Sequence, residues 1–273
     1  MDDVQAQQLF AQEVFQPDPQ IDLAKAALYI SLSEYPHLDV EEYLNSLETM
    51  ATELQERLPS VSYPLRVIQG INRYLYEDLG FKGNQEDYYD PRNSFLNEVI
   101  DRRTGIPISL SLLYLEIARR IDFPMVGIGM PGHFLIRPNV AEMEIFVDAF
   151  NQGEVLFPED CRERLTEIYG RPVDLKPEFL QTVTPRQFLL RMLSNLKAIY
   201  CNQGDFPRAI AILDRILLTA PNAPLELRDR GILHFRLNRW HQARQDLETY
   251  LALLPTAEDK PVIDQLLEQM EQQ

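Results

Sequence analysis

Apolar positions recur at helical spacing through most of this chain and at strand spacing in one central stretch. Ile21, Leu23, Ala24, Ala27, Leu28 and Ile30 predict a helix that stops before Pro36. Asp39 then caps a second helix, whose stripe runs through Val40, Tyr43, Leu44, Leu47, Met50, Ala51 and Leu54 and ends before Pro59. A third helix spans about Pro64 to Leu79, with Gly80 as its stop. After a polar, tyrosine-bearing connection, Phe95 to Arg102 and an apolar run from Pro107 to Arg120 each predict a helix. Strands follow at Met125 to Met130, His133 to Pro138, Ile145 to Phe150 and Val155 to Phe157, joined by turns short enough for antiparallel neighbours. A helix near Arg162 to Tyr169 and a Gly- and Pro-bearing linker complete an α+β domain over residues 21–184. Residues 1–20, polar and carrying Pro17 and Pro19, read as a flexible or loosely docked segment.

From Pro185 the pattern becomes all-α, and residues 185–273 read as a separate domain. Phe206 and Trp240, Ala209 and Ala243, and Pro221 and Pro255 are each 34 residues apart, the tetratricopeptide period. Small Ala209 and Ala243 allow paired helices to approach, while the prolines end the second helix of each repeat. Two full repeats fall short of the roughly three that stand alone, which predicts docking on the first domain aided by a last helix over Val262 to Met270. Repeats of this kind suit a protein or peptide partner.

Charge separates the two parts. Up to Thr184 there are 15 basic and 31 acidic residues, against 11 of each from Pro185 onward. So acidic a first part repels phosphate backbones and anionic lipid, which argues against nucleic-acid and membrane binding. The longest nearly uninterrupted apolar run, Ile106 to Leu115, is too short to span a bilayer, and the polar, acidic start lacks the features of a secretory signal. With two cysteines, Cys161 and Cys201, outside any C-x-x-C pair, the expectation is a cytoplasmic protein with reduced thiols. His37, His133, His234 and His241 have no metal-ligand spacing, and neither metal nor cofactor is expected.

The candidate chemistry lies between Asp90 and Phe150. A helix opening after Gly105, then His133, then Asp148 is the chain order of a papain- or transglutaminase-type Cys-His-Asp site. The segments Tyr89 to Ser111, Met130 to Arg137 and Val147 to Phe150 resemble the SirB1 family, in which a transglutaminase-like domain precedes tetratricopeptide repeats. In active members of that superfamily a Gly-x-Cys opens the core helix. Laid on this chain, Gly105 matches the glycine, Pro107 stands where the cysteine would be, His133 matches the general base and Asp148 the acid that orients it. Proline has no nucleophile, and it is favoured in a first helical turn for reasons of backbone geometry alone.

Two replacements deserve weight. Ser109, on the first turn, could serve His133 and Asp148 as nucleophile; a serine there also commonly bonds its own backbone. Cys161 is flanked by Glu159, Asp160 and Glu163, which raise a thiol's pKa and weaken it. The expected function is therefore a non-catalytic interaction or scaffold module. A hydrolase or acyl-transfer enzyme built on Ser109, His133 and Asp148 is the alternative.

Overall fold

In the computed structural model, which describes residues 3–59, 63–140 and 143–271, the chain divides into two compact units, Met1–Met192 and Leu193–Gln273. A helical layer opens the first: α1 (Asp3–Val14), α2 (Leu23–Ser31), α3 (Val40–Arg57) and α4 (Pro64–Asn72). Asp22 and Asp39 start α2 and α3 by accepting hydrogen bonds from backbone N–H groups of the first turn that have no helical partner. Beyond α4 the chain continues as a wider π-turn through Arg73–Asp78, so the predicted third helix changes pitch before it ends.

The segment expected as a tail is instead largely helical. Ala6, Phe10 and Val14 bury one face of α1 completely. Arg186 fixes the segment that follows, donating to the carbonyls of Val14 (2.8 Å) and Gln16 (3.1 Å) and to Asp18 (2.8 Å). The composition of this segment is polar because its apolar contact is carried by few residues, Ala6, Phe10 and Val14, spaced four apart. Residues 1–2 of that segment lie outside the described residues.

Two-residue strands β1 (Lys82–Gly83) and β2 (Thr104–Gly105) pair in parallel, and α5 (Leu96–Arg102) lies between them in sequence. The central α6 (Pro107–Arg120) is buried on every side from Pro107 to Ala118, which is why its sequence is mostly apolar around the whole circumference, with Ser109, Ser111 and Glu116 as buried polar exceptions. Four strands form an antiparallel meander in the order β3 (Met125–Ile128), β4 (Leu135–Pro138), β5 (Phe146–Asp148) and β6 (Glu154–Leu156). Its register pairs Ile128 with Leu135, Ile136 with Val147, and Phe146 with Leu156. One core cluster joins Ile128, Met130, Leu135, Phe146 and Leu156 to Cys161 and Leu165 of α7 (Pro158–Tyr169). Burying each large apolar side chain of this kind contributes roughly 1.5–3 kcal/mol.

The chain enters the second unit within α8 (Pro185–Gln203) and continues as α9 (Phe206–Thr219), α10 (Pro224–Arg236), α11 (Trp240–Leu253) and α12 (Lys260–Glu271). The 34-residue repeat is visible in the geometry: α9 and α11 begin at Phe206 and Trp240, and Ala209 and Ala243 are fully buried one turn further on. Trp240 meets Phe235 edge-on at 5.2 Å, and Arg236 covers the Phe206 ring at 5.2 Å. Leu227, Ala243, Leu247, Tyr250, Ile263 and Met270 form this unit's core.

Candidate functional site

His133 and Asp148 flank the hydrogen-bonded pair β4–β5, which brings them together across 15 residues of chain: His133 Nε2 lies 2.8 Å from Asp148 Oδ2. His133 is 8% exposed and Asp148 is wholly buried. It does not open a strand, as the sequence pattern predicts. The chain turns at that point instead: the N–H of His133 bonds the carbonyl of Met130 (3.1 Å), and the carbonyls of Met130 and His133 are both taken by Arg191.

Asp148 has more partners than its histidine. Asn151 Nδ2 donates to Oδ2 (2.8 Å), the backbone N–H groups of Phe150 and Asn151 donate to Oδ1, and the Arg164 guanidinium lies 3.8 Å away. Burial pushes this carboxyl upward, but the hydrogen bonds from His133 and Asn151 and the Arg164 charge outweigh it and hold Asp148 below the usual carboxylate range. It is therefore a fixed anion at neutral pH, suited to orienting an imidazole.

The start of α6 is committed to structure. Pro107 is its first residue, buried. Ser109 Oγ donates to the carbonyl of Asn93 (2.6 Å) and accepts from the N–H of Ile106 (3.0 Å), so it satisfies the free N–H at the helix start and ties that start to the preceding loop. A Cβ on Gly105 would come within 2.7 Å of that oxygen, so the glycine makes room for the capping serine. No hydrogen bond joins Ser109 to His133 among the described residues. Asn93 in turn fastens the tyrosine-bearing loop, with Nδ2 on the carbonyls of Asp87 (2.7 Å) and Tyr88 (3.3 Å), while Asp90 pairs with Arg92 and Arg102.

Gly83 pairs with Gly105, and a Cβ there would meet the Phe150 ring at 2.6 Å; that ring stands edge-on to His133 with centroids 6.1 Å apart. The approach to α6 thus lies close to the His133–Asp148 pair. A groove of about 370 Å³ beside it is lined by Lys82, Gly83, Gln85, Phe150, Asn151 and Gln152. Cys161 is elsewhere, fully buried in the core between sheet and α7. Burial above all, with the charges of Asp160 and Asp148, pushes its thiol up to about 12. The flanking acids named from sequence are thus the lesser part of its inertness.

The fold and order of these parts agree with the comparison to known families, since the transglutaminase-like superfamily matches residues 41–194, more than half of the chain. The chain belongs to the transglutaminase-like superfamily. A tetratricopeptide repeat family matches residues 196–271, so the superfamily domain is followed by repeats. A "UPF0162 protein" of Xylella fastidiosa (strain 9a5c) is 39% identical over 250 residues, 90% of this chain and 89% of that protein. The UPF0162 protein PA3419 of Pseudomonas aeruginosa is 30% identical over 85% of this chain and 84% of its own length. Human F-box only protein 21 is 29% identical across 82% of this chain, which spans 40% of that longer protein.

Sequence reasoning finds His133 and Asp148 and misses Asn151, Arg164 and Arg191. Asn151 has a local signal, three residues beyond Asp148. Arg191 has none, because its partners are carbonyls some 60 residues earlier. Among the described residues no His, Cys, Asp or Glu group is arranged to hold a metal, and no helix is long and apolar enough to cross a membrane.

Proposed function

We propose that this chain is a SirB1-type protein whose transglutaminase-like domain is non-catalytic and acts with the repeats as a protein–protein interaction or scaffold module in the cytoplasm. The observation that carries the reading is Pro107 at the first position of α6, where the superfamily's thiol would stand. A nucleophilic unit that lacks its nucleophile fails at the first step, whatever base remains. The two side chains that could substitute are both engaged: Ser109 caps its own helix, and Cys161 is a core residue. His133 and Asp148 then serve as a buried hydrogen bond that closes the sheet against its turn.

The repeat unit supports the binding half of the proposal. Leu225, Leu253 and Val262 are 51%, 45% and 58% exposed and available to a partner. The alternative, a hydrolase or acyl-transfer enzyme using Ser109, His133 and Asp148, requires Ser109 to give up its bond to Asn93 and turn toward His133. The test is a screen of peptide, ester and amine-acceptor substrates with the full chain. No turnover is expected. Turnover that vanishes in both Ser109→Ala and His133→Ala would establish the alternative. In parallel, a partner captured by the full chain should be lost from Leu225→Asp/Leu253→Asp and kept by Ser109→Ala; the reverse pattern contradicts the scaffold reading.

A further inference from the structure

Arg191 lies on the part of α8 that belongs to the first unit and is partly buried. Its Nη2 donates to the carbonyls of Met130 and His133, each at 3.1 Å. No carboxylate pairs with it among the described residues, although the chain carries 42 acidic side chains against 26 basic ones. Nε and Nη1 make no hydrogen bond to a described residue, and neither is sealed from solvent. A guanidinium fixed at one end, with N–H groups left over at the other, is prepared for an anion.

The surroundings narrow the ligand. Tyr88 stands edge-on to Phe150 (6.1 Å), and Phe150 edge-on to His133 (6.1 Å). From the other side α7 approaches the same turn: a Cβ on Gly132 would meet Ile168 at 2.6 Å, and the adjoining Tyr169 is 48% exposed. Burial pulls the Arg191 guanidinium below its ordinary range, with the phenols of Tyr88 and Tyr169 opposing that shift. The nearby Arg164 is already taken by Glu154, Glu167 and Asp148. One uncompensated positive charge therefore matches one negative charge, and the second charge of a phosphate dianion would find no further unpaired cation, since Arg164 is spent on Asp148, Glu154 and Glu167.

We propose that Arg191, with the collar formed by Tyr88, Phe150 and Tyr169, binds a monocarboxylate attached to an aromatic or apolar group, beside the His133–Asp148 pair. The site stands on the first unit alone and does not depend on the repeats or on the absence of catalysis. The aromatic rings receive the apolar body of the ligand by stacking, and the guanidinium receives its carboxylate.

The test titrates the full chain with N-acetyl-phenylalanine, with its uncharged amide and with inorganic phosphate at constant ionic strength, read by NMR chemical shifts. The carboxylate should bind at least about tenfold more tightly than the amide, the size of one charge-assisted contact. Phosphate should bind no better than the amide. Arg191→Met should abolish the carboxylate–amide difference and Arg191→Lys should shrink it. Because either change could unseat the Met130–His133 turn, Tyr169→Ala, at an exposed position, provides a second arm and should weaken the carboxylate several-fold. Equal binding of carboxylate and amide, no saturable binding of the carboxylate, phosphate binding as tight as the carboxylate, a difference that survives Arg191→Met, or an unchanged affinity in Tyr169→Ala would overturn the proposal.

Discussion

Charge is handled differently at Arg191 of the first unit and in the repeats. In the repeats three cations each meet carboxylates on neighbouring helices or turns. Arg230 sits between Asp214 (2.6 Å) and Asp246 (2.7 Å), and Lys197 between Glu226 (2.6 Å) and Asp229 (3.0 Å). Arg228 donates to Asp259 (3.0 Å), which also accepts from the Tyr250 hydroxyl (2.5 Å). In the first unit, Arg191 bonds carbonyls, and the buried Asp148 is surrounded by more donors than its histidine alone. Charge that closes on itself fixes how helices stack. Charge left open beside an aromatic collar leaves something for a ligand to complete.

The comparison breaks most visibly at Asp246, which is 5% exposed. Asp246→Ala leaves Arg230 with Asp214 alone and should cost about 2–3 kcal/mol in the repeat unit's unfolding free energy, since a partly buried guanidinium loses its two charge-assisted hydrogen bonds to Asp246. Chemical denaturation followed by far-UV circular dichroism measures it, and a loss below about 1 kcal/mol would show that the network is decorative.

Asp148→Ala is expected to cost about 1–3 kcal/mol, because His133, Asn151 and two backbone N–H groups lose their acceptor. Asp148 titrates lower in the folded chain than in the unfolded one, so its contribution is present above the ordinary carboxylate pKa and is lost as the pH falls through the folded value. The stability gap between parent and variant should therefore be constant near neutrality and narrow below about pH 4. A gap that widened on acidification would contradict the assignment of Asp148 as a fixed anion.

Much of this was readable in the chain. The apolar stripes of α2 and α3, the Asp caps, the 34-residue spacing of Phe206 and Trp240 and the order Gly105, His133, Asp148 are local or periodic signals. They survive because helix and strand periods are imposed by backbone geometry. What could not be read depends on distant partners. The docking of α1 depends on Arg186, some 170 residues away, and the role of Arg191 depends on where a turn leaves two carbonyls. Ser109 was ambiguous for the same reason: an early-helix serine can cap or attack, and the carbonyl of Asn93, 16 residues earlier, determines where its proton goes.

Ser109→Ala should have the smallest effect on stability, about 1 kcal/mol, because it removes ordinary neutral hydrogen bonds at a helix start. Thermal melts of parent and variant suffice to measure it. A loss matching that of Asp148→Ala would mean the cap does more than close a turn.

The central claim, that no activated nucleophile remains beside His133 and Asp148, is tested most directly by intact-mass analysis of the native full chain after exposure at neutral pH to a fluorophosphonate and, separately, to iodoacetamide. No adduct on Ser109 and none on Cys161 is the predicted result, with Cys161 alkylated only after unfolding; modification confined to the partly exposed Cys201 is consistent with this. Stoichiometric labelling of Ser109 or Cys161 in the native chain, lost in His133→Ala, would contradict the account.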